Sequence, residues 1–500
     1  MINSVLRNSH VVPKTAITAD SHDSAECPPW LLWTTVICVC LLNLEPVNAK
    51  IGILLVLFLC TFSLSKPLPA VVWITASQTV GDAVGLPLTN AQMIFIFFFF
   101  HLIFLNRNFN WREAGFLIRW LLLPLLYLRI IITIKWGFSS SITPLELAVF
   151  FSFVGFCYLY QLRHRPFDAL LMVGLGCLPT IVAFPLSLAG INITGESVTK
   201  IQGITSMPLG RSDGNQAGIG IANCIAIFLG LATFTGPCMF SRKKRIVLAI
   251  LCSLCAIPAA IVTLSRATIL YVTIIVMSLF LIQFHLGRKR QIFWIFLGGV
   301  FISSGIFIFW GELVETYFEH IFQFSQEQLT SADSLFLSRQ GVFVASWTEI
   351  AQSPLLGTLP ETRVAADAYG YNYNSHNAWL DMGRAAGIPG MIFFTCFFFC
   401  PVIRLLKMRR IHLTYPFLLP WLVIFCVLMN LSQTNNKIIY VLWVLLMILQ
   451  LPPEDMCNGS SDNAIQPQYV FPDKSEKIRS LERCITGTTH YSLADGQKKQ

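Results

Sequence analysis

The sequence is poor in charge. Only 12% of its 500 residues are Asp, Glu, Lys or Arg, whereas 55% are hydrophobic and the mean hydropathy is +0.64. Soluble domains carry about a quarter charged residues, so this composition excludes a soluble globular protein. The apolar runs are continuous and do not alternate with a period of two, which excludes the strands of a membrane barrel. The sequence therefore predicts an all-α polytopic membrane protein.

Motifs for nucleotides and metals are also absent. No Walker loop, GxGxxG turn, DxD pair or H-E-x-x-H helix stands where it could work, so we expect no metal site and no cofactor. The basic runs are short and lie next to apolar stretches, where topology signals are expected, so nucleic acid is not a predicted partner. None of the fifteen cysteines falls in a loop that we place outside, which excludes a disulfide framework.

Long apolar runs are what the sequence has instead. A membrane-spanning helix needs ~20 mostly apolar residues, and fourteen runs approach or reach that length. Pro67 and Pro69 interrupt the chain between the second and third runs, so these two can form one irregular re-entrant pair, and twelve spans is the alternative. Both counts place the two termini on the same side. The runs are 30–46, 50–64, 67–80, 88–105, 114–134, 143–161, 168–189, 216–237, 245–264, 267–285, 291–310, 387–404, 414–431 and 437–452.

Clusters of basic residues set the orientation of these spans. They lie near 107–112, 163–165, 241–245, 287–290 and 404–410, and the positive-inside rule makes those loops cytoplasmic. The short loop 190–215 and the junction at 265–266 are then outside. The predicted organisation is a cytoplasmic tail over 1–29, transmembrane helices over 30–310, a long outer loop over 311–386, transmembrane helices over 387–452, and a cytoplasmic, disordered tail over 453–500.

The long outer loop has its own helical patterns. Residues 311–324 have apolar positions at helical spacing, which predicts a helix lying on the outer membrane surface. Residues 334–351 predict a second helix, closed by Ser353-Pro354. A loop rich in Gly, Pro, Tyr, Asn and Asp follows over 357–375, and Asn377 can start a helix that runs through Gly387-Ile-Pro-Gly390 into the next span.

Four basic or ionisable residues share the outer side: Arg211, Arg266, Arg339 and His376. Arg266 interrupts an apolar stretch, and a functional charge at membrane depth is about as plausible as an ordinary turn whose arginine reaches water. Arg211 precedes a helix that Asp213 or Asn215 can cap; an anion site is plausible there, although taken alone a boundary charge is favoured.

Taken alone, His376 is more plausibly a structural histidine than a base, and no second ligand accompanies it for zinc. Asp381, about one helical turn further on, is more plausibly an exposed helix charge than an active-site carboxylate. Together, however, the three arginines and the histidine favour a phosphate or pyrophosphate ligand. The nearby aromatic side chains suit either stacking on sugar rings or an interfacial belt. They are Tyr369, Tyr371, Tyr373 and Trp379.

The second half of the chain resembles the O-antigen ligase and O-antigen polymerase family of bacterial membrane glycosyltransferases. The motifs that carry the resemblance lie in residues 205–430. They are Arg211 with Asn215; Ser265-Arg266-Ala267; Arg339 with Trp347 and Ser353-Pro-Leu-Leu-Gly357; and His376-Asn377 with Leu380 and Gly387-Ile-Pro-Gly390. The family usually has a second glycine soon after Gly357, where this chain has Thr358-Leu359-Pro360.

The resemblance implies a GT-C-like, metal-independent and inverting transferase in the bacterial inner membrane, with its active site facing the periplasm. The donor would be a glycan on undecaprenyl pyrophosphate. The acceptor would be lipid A–core, another lipid-linked glycan, or a protein hydroxyl. Arg211, Arg266 and His376 would be catalytic, the arginines stabilising the leaving charge and His376 acting as base or orienter. The expected substrate-binding residues are Arg339, Asn377, Asn215, Tyr373 and Arg129.

A polytopic transporter or flippase of lipid-linked glycan is the alternative. It predicts charges buried in mid-span along a path, whereas the strongest polar residues here lie on one side. Arg119 and Arg129, inside the run 114–134, speak for the alternative, although Arg129 lies toward the outer end and can also meet the donor. The motifs do not separate a ligase from a polymerase.

Overall fold

The structure is a computed structural model that describes only part of the chain. The predicted spans 414–431 and 437–452, the tail 453–500, and the N-terminal tail as far as residue 26 lie outside that part. The described residues are 27–44, 49–80, 90–101, 115, 123, 126–135, 144–163, 165–188, 200–201, 204–205, 214–233, 238–262, 266–285, scattered positions between 290 and 319, 339–358 and 377–407.

The described residues are mostly helical, as the composition predicts. The helices are α1 (Pro29–Asn43), α2 (Ala49–Phe58), α3 (Pro67–Thr79), α4 (Asn90–Phe100), α5 (Pro144–Gln161), α6 (Pro166–Gly176), α7 (Leu178–Leu188), α8 (Gly214–Thr233), α9 (Arg242–Val262), α10 (Arg266–His285), α11 (Arg339–Gln352) and α12 (Ala378–Lys407). Residues 126–135 are also helical.

One small β-ladder interrupts the all-α picture. Strands β1 (Lys200–Ile201) and β2 (Ile204–Thr205) pair antiparallel, with Lys200 opposite Thr205. They lie in the segment 190–215, for which the sequence predicted only a loop.

The two short runs 50–64 and 67–80 form two separate helices. α2 continues into a π-helical turn, Leu59–Ser63, and Pro67 then begins α3 at a position where the missing N–H costs nothing. Two hydrogen bonds fix this junction to its neighbours. The hydroxyls of Thr35 and Ser63 lie 2.9 Å apart, and the Tyr158 hydroxyl donates to the Leu64 carbonyl at 2.9 Å.

The run 168–189 is not one straight span. It breaks at Cys177 into α6 and α7, whose axes differ by 41°. Pro179 lacks the N–H that would continue the helix, and Gly176 packs so closely on α3 that a Cβ there would lie 2.8 Å from the Val72 carbonyl oxygen. The break therefore has a local cause in proline chemistry and close helix packing.

The buried core is continuous and runs through α3, which is enclosed on most sides. Trp73 and its neighbours on α3 are fully buried, whereas α1 and α9 each present an outward row of large apolar side chains. On α1 that row is Trp33, Ile37 and Leu41, spaced four residues apart on one helix face. Apolar surface of this kind is typical of helices that pack in lipid.

By length and hydropathy alone, one helix among the described residues passes as a membrane span, Ala378–Phe399 in α12, although non-helical backbone at Ala386 and Gly387 divides it. The bent pair Phe167–Gly176 with Leu178–Leu186 would make a second if it counts as one span. The described residues do not establish the predicted count of twelve to fourteen spans or the GT-C-like architecture. Both stay predictions.

Candidate functional site

The structure describes some of the predicted site residues and not others. His376, Tyr373 and Arg211 lie outside the described residues. Arg266 is the first residue of α10 and Arg339 the first residue of α11, and Asn215 lies in the first turn of α8; for these three only the backbone position is described. Arg129 lies in the helical stretch 126–135, and Asn377 immediately precedes α12.

The beginnings of α8 and α10 lie side by side. A Cβ placed on Gly218 would lie 3.1 Å from the Thr268 Cβ, so the two helices touch one turn after they begin. Arg266 and Asn215 belong to these two first turns. The N–H groups in the first turn of a helix lack intrahelical partners and carry partial positive charge, so two adjacent helix beginnings, one of which starts with an arginine, suit an anion.

Asn377 caps α12. Its side-chain oxygen accepts hydrogen bonds from the backbone N–H groups of Trp379, at 3.0 Å, and Leu380, at 3.2 Å. The sequence prediction that a helix starts here is thus confirmed, whereas the prediction that it runs on through Gly387-Ile-Pro-Gly390 into the next span is wrong, because the backbone leaves the helical conformation at Ala386 and Gly387. The same contacts give the Asn377 oxygen a structural task next to His376, so a role for Asn377 in substrate binding stays a prediction.

α12 folds back on itself at Ala386 and Gly387, where φ is −136° and +72°. Trp379 and Phe399 are 20 residues apart and would be about 30 Å apart along a straight helix. Their rings instead stack with centroids 5.5 Å apart. A Cβ on Gly383 would lie 3.6 Å from the Met391 sulfur, which also requires the two arms to run side by side. The bend falls at Gly387, where the sequence begins the predicted span 387–404.

The bend is locked by the turn that follows α11. Breaking the helix frees the Arg384 carbonyl and the Ile388 N–H from their usual partners. The N–H of Thr358 donates to the Arg384 carbonyl, and the Ile388 N–H donates to the Pro354 carbonyl, each at 2.7 Å. The segments Ser353–Gly357 and Gly387-Ile-Pro-Gly390 are thus joined by backbone hydrogen bonds between residues far apart in the sequence.

Both glycines at this junction are required by geometry. Gly357 and Gly387 each have φ of +72°, in the left-handed region that favours glycine. A Cβ on Gly357 would lie 2.7 Å from the Ala386 nitrogen, and one on Gly387 would lie 2.6 Å from the Pro354 carbonyl oxygen. Because glycine has no side chain, each of these two residues leaves room for the backbone of the other motif.

A buried ion network joins α11 to the first arm of α12. The Arg384 side chain is 0% exposed, and its Nε donates to Glu349 Oε2 at 2.5 Å. Its Nη1 lies 3.9 Å from Asp381 Oδ1, and Asp381 is also 0% exposed. In the described part of the chain, neither Nη1 nor Nη2 of Arg384 has a hydrogen-bond acceptor. The favoured interpretation of Asp381 as an exposed helix charge is therefore wrong, because the fold-back of α12 covers it.

The helical stretch 126–135 lies against the same junction. The Tyr127 ring stacks on Phe393 of α12 with centroids 5.1 Å apart, and the Lys135 ammonium donates to the Gly357 carbonyl. Burial lowers the pKa of Lys135 below its usual range. Arg129 lies on this stretch, between these two contacts in sequence. The structure therefore brings the element that carries Arg129 to the junction between α11 and α12.

Sequence reasoning missed Arg384, Glu349 and Lys135. Arg384 lies in the sequence Gly383-Arg-Ala-Ala386. This sequence does not differ from others that have a charged residue near the end of a helix. The available signal was the energetic cost of an arginine three residues before the apolar run 387–404. Among the described residues, no group of three or more His, Cys, Asp or Glu side chains gathers to hold a metal ion.

Comparison with known proteins gives one match. Residues 247–395 match the family described as O-antigen ligase, and this confirms the resemblance drawn from the motifs over those residues. The match includes Arg266, Arg339 and His376, whereas Arg211 and Asn215 precede it. Searches of the curated proteins and of the solved structures found no match to the chain.

Proposed function

Starting from the O-antigen ligase domain at residues 247–395, we propose that this protein is a membrane glycosyltransferase of surface-polysaccharide assembly. It moves a glycan from undecaprenyl pyrophosphate to an acceptor hydroxyl on the periplasmic face of the bacterial inner membrane. The acceptor is lipid A–core for a ligase, another lipid-linked glycan for a polymerase, or a protein hydroxyl. The apolar helices hold the enzyme in the membrane as a polytopic, GT-C-like protein.

The observation that carries this proposal is the family match, and it covers less than a third of the chain. Two features of the structure support it. The adjacent beginnings of α8 and α10, with Arg266 at the start of α10, suit a pyrophosphate. The locked bend of α12 joins the Ser353–Gly357 and Gly387-Ile-Pro-Gly390 motifs and contacts, through Lys135, the helical stretch that carries Arg129.

The chemistry follows from these roles. The acceptor oxygen attacks the anomeric carbon of the donor glycan, and the bond from that carbon to the pyrophosphate oxygen breaks. The acceptor proton passes to His376, or His376 orients the hydroxyl while the proton leaves to water. Arg211 and Arg266 stabilise the negative charge that develops on the departing undecaprenyl pyrophosphate. Attack opposite the leaving group inverts the anomeric centre, and no metal is needed.

The remaining predicted residues bind the substrates. Arg339 and Arg129 hold the pyrophosphate or the first sugar through charged hydrogen bonds, because a guanidinium pairs with phosphate oxygens in bidentate fashion. Asn215 lies in the first turn of α8 and adds a polar contact at that helix beginning. Tyr373 stacks on a sugar ring. The long-chain lipid stays in the bilayer, so its pyrophosphate lies at the depth of these helix ends.

Complementation of a deletion strain tests the proposal. Surface polysaccharide from strains carrying wild type, His376→Ala or Arg266→Ala is compared on gels, with membrane levels of each variant measured in parallel. We expect both variants to reach wild-type levels and fail to restore the product. Loss of all chains on lipid A identifies a ligase, whereas chains of a single unit identify a polymerase.

The matched control is Arg242→Ala, which removes an arginine from the exposed start of α9 on the side predicted to be cytoplasmic. This variant should complement fully. If His376→Ala and Arg266→Ala also complement fully, the proposed site is wrong. Donor that accumulates on the cytoplasmic side of the deletion strain would favour a transporter, whereas donor on the periplasmic side favours the transferase.

A further inference from the structure

The polarity of α11 is inverted relative to a helix in water. Its charged residue Glu349 points inward to Arg384, and Ile350 is buried beside it. Its outward row holds Val344, Trp347 and Ala351 instead, and the Trp347 side chain is 53% exposed. A helix on the surface of a soluble domain has the opposite arrangement, with apolar residues inward and charges outward.

The one outward hydroxyl in this row is already satisfied within the helix. Thr348 Oγ1 donates to the Val344 carbonyl at 2.9 Å. Thr395 on the second arm of α12 makes the same kind of bond to the Met391 carbonyl, at 2.7 Å. In water such a bond has little value, because the hydroxyl can bond to solvent; in hydrocarbon it provides the partner that the surroundings lack.

The apolar face continues from α11 onto α12. The turn after α11 presents Leu355, which is 72% exposed, and Leu356. The hydrogen bond from the Ile388 N–H to the Pro354 carbonyl holds this turn against the second arm of α12. Ile388 and Ile392 are exposed on that arm, which carries no charged residue from Ile388 to Ile403. One surface therefore runs from Val344 through Leu355 to Ile392, without a charged side chain among the residues named.

We propose that this surface, defined by Val344, Trp347, Leu355, Leu356, Ile388 and Ile392, contacts the acyl chains of the outer leaflet of the membrane. α11 then lies within the lipid boundary and not in the periplasmic water, so the predicted membrane contact of the loop 311–386 extends beyond the helix predicted over 311–324. Burial of Glu349 against Arg384 follows from this, since a charge on a lipid-embedded helix turns toward the protein interior and pairs there. This inference goes beyond the proposed function and does not depend on catalysis.

Site-specific fluorescence quenching tests the proposal. A small fluorescent amino acid is placed by stop-codon suppression at Val344 or Leu355 in the full-length protein. Each variant is reconstituted in nanodiscs of phosphatidylcholine, either unmodified or brominated on its acyl chains, and iodide is titrated from the aqueous phase. Two reference positions are exposed in the structure: Ile250 on α9, in an apolar row, and Lys243, in the basic run before it.

We expect the probes at 344 and 355 to behave like the one at 250. Brominated lipid should quench them several-fold more than it quenches position 243, and iodide should quench them several-fold less. Strong iodide quenching at 344 and 355, with lipid quenching retained at 250, would place α11 in water and overturn the proposal. Protection from both quenchers would also overturn it, since another protein surface would then cover the face. Absence of lipid quenching at 250 would instead contradict the membrane location in the proposed function.

Discussion

At Arg384 the chain buries a guanidinium completely, and its partner Glu349 is the only carboxylate within hydrogen-bonding distance among the described residues. Arg165 makes an equally close pair with Asp168, at 2.6 Å, but its side chain is 41% exposed. The geometry of the two pairs is similar and their surroundings differ. Removal of one partner from a buried pair strands the other charge away from water, whereas an exposed pair loses little.

Arg384→Met should therefore destabilise the protein by about 3–5 kcal/mol, the usual cost of leaving a buried charge unpaired. Adding Glu349→Gln should recover part of that loss, because the unpaired carboxylate is then gone. Thermal unfolding of the purified protein in detergent, followed by tryptophan fluorescence, measures both. Arg165→Met is the control and should cost under about 1 kcal/mol, since Asp168 keeps its hydrogen bond from the Met239 N–H. Equal losses at Arg384 and Arg165 would show that the ion network is not buried.

Gly387→Ala should lower stability by at least about 2 kcal/mol, because a Cβ there adds left-handed strain and a clash with the turn after α11. Fluorescence-detected size-exclusion chromatography after heating gives the midpoint of unfolding. Gly52→Ala on α2 is the matched control, since a Cβ at Gly52 has no neighbour within 4 Å. It should be neutral or slightly stabilising, as alanine favours a helix. A neutral Gly387→Ala would mean that α12 is straight at this residue.

Single residues were the hardest scale to predict from the sequence. The capping role of Asn377 followed from its residue type and place, because an Asx oxygen before a helix has few other local uses. The burial of Asp381 did not follow. It depends on the fold-back at Gly387, and Gly-Ile-Pro-Gly permits either a straight or a bent helix until the turn at 353–357 is known to pack there.

At the scale of elements, α8 and α10 meet where each begins, and Gly218 sets how closely they approach. Gly218→Ala should push the two helix beginnings apart, since its Cβ would meet Thr268. If these beginnings hold the donor pyrophosphate, KM for the lipid-linked donor should rise several-fold while kcat changes less. Transfer assays with purified enzyme and donor measure both constants.

Gly155→Ala on α5 controls for adding a methyl group at a helix–helix contact. A Cβ on Gly155 would meet only the Ile74 Cγ2, at an ordinary 4.0 Å, so this variant should keep the wild-type KM. If the Gly218→Ala protein is folded and its KM for the donor is unchanged, donor binding does not depend on the contact between α8 and α10.

Elements were predicted better than residues, because apolar run length and proline positions act locally. The helix predicted over 334–351 appears as α11 and ends at Gln352, directly before Ser353-Pro354 as expected. The break of 168–189 at Cys177 was missed, although Gly174, Gly176 and Pro179 mark it. Lipid-embedded helices tolerate glycine and proline when neighbours satisfy the backbone, so these residues alone do not fix a break.

At the scale of the molecule, contacts between distant segments join residues predicted to lie on the same side. The Met239 N–H donates to Asp168 Oδ1 at 2.7 Å, and Trp33 stacks on Phe240; all four residues are near loops predicted to be cytoplasmic. The contact of Lys135 with Gly357 joins two segments predicted to be outside. These pairings agree with the predicted orientation, whereas the stacking of Trp379 on Phe399 joins a residue predicted to be outside to one near the cytoplasmic cluster 404–410, so the orientation stays a prediction.

Reporter fusions test that orientation. Alkaline phosphatase fused after residue 265 should be active, because the enzyme folds only after export, and fluorescent protein fused there should be dark. Fusions after residue 241 should show the reverse pattern. Identical behaviour at the two positions would mean that α9 does not cross the membrane and would remove the polytopic premise of the proposed function.

The lock between the turn at 353–357 and the bend at 387 has a consequence for how this enzyme family can diversify. Thr358 is held by its backbone hydrogen bond to the Arg384 carbonyl, and Asn377 is held by capping α12, so both ends of the segment 359–376 are fixed. Each doubling of the length of a closed loop raises its closure free energy by only about 0.6 kcal/mol. The segment 359–376 can therefore change in length while α11 and α12 keep their structure. Under the proposed function, selection for a new acceptor can therefore change the length of 359–376 without breaking the contacts at Thr358 and Asn377.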